Sequence, residues 1–278
     1  MPNSLKFITS VSLSVLMLGC SPDEELLVGV EEGADARLTA DLYTWDCTNE
    51  ESDWMGVLGF DIALEFVPDN LNSRALPPVG SCAYAIDMFA LDALQSGDDL
   101  PGATGVPDWS TDVLSGEFLE VGPGLWYADV FRNVLSCDDS ASVITSGVEV
   151  QEAGVFSGLT SPTAGEITSI TSNNSSLAGF PFGELIELDW VASGWDESFV
   201  QLRRERNGVA YETVTCNTTG LSAYTINDSA WEMLNPEIIA DTNLLYVGFQ
   251  NRTEDVTEYG QELELVSRAL HVVGINIE

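Results

Sequence analysis

The sequence predicts an all-β protein built as two β-sandwich domains. Three observations carry this. Short segments alternate apolar and polar residues with a period of two, the period of a strand. Gly, Pro, Asn and Asp cluster between them at turn-like intervals. Only one or two stretches read as helical, whereas ten to twelve read as strand. Short strands separated by turns bury their apolar faces best as two stacked sheets. No fixed-period repeat is visible, which argues against a propeller or solenoid.

In the first half, Leu38 to Trp45 alternates, with Leu38, Ala40 and Leu42 on one face. Val57 to Val67 repeats the pattern: Leu58, Phe60, Ile62, Leu64 and Phe66 take one side, Gly59, Asp61 and Glu65 the other. This spacing predicts a strand with one face on a core and the other in water. A loop from Pro68 to Gly80 follows. Ala83 to Leu94 is continuously apolar and reads as a buried strand, and Gln95 to Pro107 as a loop. Glu117–Val121 and Leu125–Phe131 read as strands around Pro123-Gly124, the pair a type II turn favours because Gly accepts a positive φ. Trp126 and Tyr127 read as core.

Ser157 to Gly165 is a Ser/Thr/Pro/Gly run, and the expected boundary falls there. The expected organisation is a signal segment over 1–19, an acidic linker over 20–36, and sandwiches over 37–157 and 158–278. In the second half, Ile167–Thr171 and Leu185–Trp190 read as strands, the latter with Ile186, Leu188 and Trp190 inward. Phe199–Arg206, Asn207-Gly208 and Val209–Cys216 form the clearest hairpin, with a two-residue type I′ turn. That register sets Arg203 opposite Glu212 and Arg204 opposite Tyr211. Both pairs are expected at the surface, and they account for the basic cluster Arg203, Arg204 and Arg206 without an anion ligand. Tyr224–Ile226 is a strand, Ser229–Leu234 a short capped helix, and Leu244–Phe249 and Leu263–Val273 are strands.

The second half also carries ELIELDW, a hairpin ending in ETVTC, then SAYTIND and a Trp/Leu helix. Over residues 160–278 this resembles a segment found in uncharacterised exported bacterial lipoproteins. The resemblance implies an immunoglobulin-like sandwich and no particular activity.

The N-terminus sets the expected location. Met1 to Cys20 has a positive start at Lys6, an apolar run from Phe7 to Leu18, and Leu18-Gly19-Cys20 at its end. This is the order of a secretory signal, too short to stay in a bilayer as a helix. Its end resembles the bacterial lipobox, with Met17 where the pattern usually has Leu. The resemblance implies cleavage before Cys20, lipidation of Cys20 and attachment to a membrane. Ser21 after it implies the outer membrane, with either face open. The membrane is then a partner through the lipid, and the rest of the chain lies outside the cytoplasm.

Composition narrows function further. The chain has 278 residues, 45% of them hydrophobic, with nine basic residues against 45 acids. Lys6 leaves with the signal, so the mature chain keeps eight arginines and a net charge of −37. Such a field repels nucleic acid and anionic headgroups. Calcium would suit so many carboxylates. The clusters Asp98-Asp99, Asp138-Asp139 and Glu50-Glu51 with Asp53 nevertheless lack calcium-loop spacing and read as solvated surface. Cys47, Cys82, Cys137 and Cys216 read as two disulfides. Three pairings are open. Cys47 with Cys82 is preferred because the two flank a strand-turn-strand unit, which leaves Cys137 with Cys216.

Catalytic chemistry finds little to use. The single histidine, His271, lies in a strand, and no G-x-S-x-G elbow accompanies it. Phosphate-binding glycine loops and cofactor motifs do not occur. Paired carboxylates for glycoside hydrolysis remain an alternative, since acids abound. The favoured expectation is a non-catalytic binding or adhesion module for a glycan or an envelope protein; a purely structural envelope component is the third reading. Trp45, Trp54, Trp109, Trp195 and Trp231 lie at strand ends or in loops. Trp54 and Trp195, each beside acids in a polar loop, are the candidate ligand-contacting aromatics, because sugar faces stack on flat rings.

Overall fold

The computed structural model describes residues 34–46, 55–68, 74–84, 88, 97–136, 146–173, 185–206, 209–226, 228–235, 242–257 and 260–277. Nine strands form one large sheet in the order β3 (Cys82–Tyr84), β12 (Val209–Asn217), β11 (Glu197–Arg206), β14 (Thr242–Val256), β15 (Glu262–Ile277), β1 (Ala36–Asp46), β2 (Met55–Phe66), β7 (Leu125–Ser136) and β6 (Leu119–Gly122). All its pairings are antiparallel except β1 with β15, which run parallel from Ala36/Leu263 to Trp45/Val272. Two three-stranded sheets accompany it. One orders β13 (Ala223–Ile226), β10 (Ile186–Ser193) and β9 (Glu166–Ser172); the other orders β5 (Ser115–Glu117), β4 (Asp108–Ser110) and β8 (Glu149–Gln151). A single helical turn, α1 (Asp228–Trp231), is the one α-helix among the described residues. None of these residues forms a helix long and apolar enough to cross a membrane.

The protein is therefore all-β with stacked sheets, as the alternation predicts. Two apolar clusters lie on the same side of the large sheet, as the register of its strands requires. In one, Leu38, Ala40, Phe60, Ile62, Leu64 and Trp126 pack with Trp109, Val150 and Phe156. In the other, Val200, Leu202, Val214, Val247 and Phe249 pack with Ile186, Leu188 and Trp190. Each small sheet thus closes one end of the large one, burying apolar faces that would otherwise cost about 25 cal/mol per Å² exposed to water. The large sheet continues across the expected 157/158 boundary: β15 pairs with β1 over ten residues, and Leu263 and Leu265 fill the first cluster.

Local details follow the chemistry of the chain. Gly124 has φ +66°, and an added Cβ would lie 2.3 Å from the Asp98 carbonyl and 2.5 Å from that of Phe66. The Pro123-Gly124 turn therefore needs glycine both for its backbone and for close approach. Trp126 is buried as expected.

Two sequence-based expectations change. First, the polar face of β2 does not face water: Asp61 is 6% exposed and Glu65 fully buried. On the neighbouring strands Arg37, Asp41, Glu264 and Arg268 are also buried, so charge pairing takes the place of solvation. Second, the β11–β12 register is not that of a simple hairpin. It shifts between Arg204 and Glu205, so that Arg204 faces Glu212, Arg203 faces Thr213, and Tyr211 is the extra residue. A bulge inverts which side each later residue occupies. Arg204 and Glu212 consequently form a buried ion pair at 2.9 Å, while Tyr211 is 57% exposed. The turn residues Asn207 and Gly208 lie outside the described residues.

The disulfide expectation changes as well. Cys82 is bonded to Cys216, its direct partner across β3 and β12, and not to Cys47. The two are 134 residues apart in sequence, which a local strand-turn-strand argument could not anticipate. Cys47 and Cys137 lie outside the described residues.

Candidate ligand-binding groove

The connection from β10 to β11 is a sandwich corner, where the chain leaves a small sheet and enters the large one. Gly194 makes the turn at φ +73°, and Trp195 and Asp196 follow. Asn251 on β14 holds this corner. Its amide donates to the Gly194 carbonyl at 2.8 Å and the Thr163 carbonyl at 2.7 Å, and its Oδ1 accepts the Asp196 N–H at 2.7 Å. Buried polar groups bound on all sides in this way fix one geometry.

Trp195 is half-buried and leans on Phe249, with ring centroids 6.1 Å apart and planes at 38°. Phe249 in turn meets Trp190 edge-on at 6.1 Å and 80°. The Trp190 indole N–H donates to the Leu221 carbonyl at 2.9 Å, tying the opposite wall to the aromatic floor. Between the corner and the Gly220-Leu221-Ser222 segment runs a groove of about 310 Å³. Its polar rim includes Asp196, Glu197, Ser193 and Ser222. The indole nitrogen of Trp195 is buried with no hydrogen-bond partner in the protein, and the carboxylate of Glu197 accepts from Gln250. The volume is at the small end for ligand sites, and an aromatic wall with a few polar groups is their usual make-up.

Of the two candidate aromatics, Trp195 lines this groove and Trp54 lies outside the described residues. Trp109 and Trp231, read as loop or strand-end residues with access to solvent, are core at 5% and 6% exposure. The side chain of Trp45, and Cys20 altogether, lie outside the described residues. Trp190, Phe249 and Asn251 were not separable from ordinary core positions in the sequence. Their role depends on β14 lying beside β11, which local pattern does not encode.

His271, Arg203 and Arg204 are bonded within the protein. His271 is 1% exposed, and its Nδ1 shares a hydrogen bond with Thr44 Oγ1 at 3.0 Å. Burial pushes its pKa down to about 4, so it is neutral near pH 7. Arg203 binds Glu205 at 2.7 Å; Arg204 binds Glu212, the Asn235 carbonyl and Asn243. Among the described residues no group of three or more His, Cys, Asp or Glu is placed to hold a metal. No family model matches the chain, and no protein of curated function matches it.

Proposed function

We propose that this protein is a lipid-anchored envelope protein that acts as a non-catalytic binding module. Its ligand is a glycan, received in the groove beside Trp195. The single observation that carries the reading is the groove itself: an aromatic wall at a rigid corner, rimmed by hydroxyls and carboxylates. A pyranose ring offers an apolar face for Trp195 and hydroxyls for the polar rim of Ser193, Asp196, Glu197 and Ser222. The second half is read as an immunoglobulin-like module, consistent with sheets stacked around Ile186, Leu188 and Trp190.

The test is titration of neutral and acidic oligosaccharides against intrinsic tryptophan fluorescence, with wild type and Trp195→Ala compared. Binding that falls at least tenfold in the variant supports the groove; equal binding by both removes it. Slow hydrolysis of a bound oligosaccharide would instead favour a paired-carboxylate hydrolase. The anchor is tested separately by incorporation of a palmitate analogue, which Cys20→Ala should abolish.

A further inference from the structure

The covered face of the large sheet gathers four of the chain's few arginines. Arg37 projects from β1, Arg252 from β14 and Arg268 from β15, while Arg74 reaches in from the segment preceding β3. Most of their bonds close within the protein. Arg268 is bidentate to Asp41 at 2.7 Å and also donates to the Met88 carbonyl. Arg37 donates to Glu264, which accepts from Arg252 at 3.3 Å as well. Asp61, opposite Asp41 on β2, adds another carboxylate to this face.

Arg74 is different. Among the described residues its one carboxylate within ion-pair range is Glu65 at 3.8 Å, beyond hydrogen-bond distance, and Glu65 also faces Arg37 at 3.7 Å. Both terminal nitrogens of Arg74 are buried without a hydrogen-bond partner, as is Thr39 Oγ1. A buried guanidinium with unmet donors is strongly unfavourable. Burial, then the charge of Arg37, lowers the Arg74 pKa to about 10, against the pull of Glu65. Arg74 and Thr39 line the same small chamber, where the centre of a water-sized particle has about 10 Å³. That admits one such particle and no tetrahedral oxyanion.

We propose that this chamber, between Arg74, Thr39 and the guanidiniums of Arg37, Arg252 and Arg268, binds a single halide ion. An acceptor-only ion suits the free donors of Arg74 and Thr39 better than water, which must donate two protons of its own; the Glu264 carboxylate that also lines the chamber is engaged by Arg37 and Arg252. The partly exposed Arg252 and Arg74, at 24% and 11% of their side chains, mark the way in. The site lies across the large sheet from the groove's core and is independent of the glycan reading.

The experiment is thermal unfolding at constant ionic strength with chloride replacing gluconate. Chloride should raise the Tm of the intact protein by about 2–4 °C, the shift expected of a ligand present at roughly four to five times its Kd. Bromide should act similarly and sulfate should not. Arg74→Met should lose the chloride response and be more stable than wild type in gluconate, because it removes an underpaired cation. Should Arg74→Met not fold, Thr39→Val keeps every ion pair and should reduce the response. In crystals grown with bromide, an anomalous peak is expected within hydrogen-bond distance of Arg74. Equal Tm values in chloride and gluconate, an unchanged response in both variants, or a water at that position with no bromide signal would each overturn the proposal.

Discussion

A histidine enclosed in a β core is acceptable only while it stays neutral. His271 is the one histidine in the sequence, which makes its contribution separable. Its pKa falls from 6.5 unfolded to about 4 folded because of burial, so the unfolded state takes up a proton first as pH drops. The associated stability is fully present above pH 6.5 and is lost as pH falls toward 4. At 1.36 kcal/mol per unit, the loss approaches about 3 kcal/mol. Urea titrations from pH 7.5 to 4.5 should show this decline, and His271→Gln should flatten it. Glu264 acts lower on the scale. Burial raises its pKa, but Arg37 and Arg252 outweigh this and hold it below the ordinary value, so its contribution is lost only under more acidic conditions. Residue identities alone suggested that His271 was structural, but nothing in them showed that Asp61 and Glu65 would be buried. A period-two pattern separates two faces; whether the polar face meets water depends on what covers it.

At the level of elements, the bulge in β11–β12 makes a sharp prediction. Glu212→Ala strands a buried Arg204 and should cost about 3–5 kcal/mol by denaturant titration. Tyr211→Ala, at the exposed bulge, should stay within about 0.5 kcal/mol of wild type. A straight hairpin would give a small effect at both positions. Gly124→Ala should also destabilise, since φ +66° and two backbone carbonyls under 3 Å away leave no room for a methyl group. Non-reducing peptide mapping should find Cys82 joined to Cys216. Strands such as β1, β2 and β10 were legible because their apolar positions alternate without interruption. The bulge was not, because Asn-Gly signals a tight turn whether or not one strand carries an extra residue beyond it.

The whole molecule is held by a sheet that both halves share. The parallel β1–β15 pair brings the two ends of the described chain together, and Ser267 on β15 donates to Ser161 at 2.9 Å. Unfolding one half would strip a long edge and two core leucines from the other. Calorimetry should therefore show one cooperative transition; two well-separated transitions would mean that the shared sheet does not couple the halves. The charged face adds a second coupling, since Arg268, Asp41 and Met88 link β15, β1 and the segment after β3. Asp41→Ala should cost about 3–5 kcal/mol by leaving Arg268 buried without its carboxylate.

Composition and local alternation by themselves determined that the chain is β, which apolar residues face a core, and where turns such as Pro123-Gly124 fall, because these depend on neighbours within a few residues. Only the tertiary structure decided that Cys82 meets Cys216, that Trp195 walls a groove while Trp109 is buried, and that acids and arginines spread along the chain share one covered face. Each of those depends on which distant strand lies alongside, and pairing between strands is set by the packing of the entire sheet, not by any segment's own pattern.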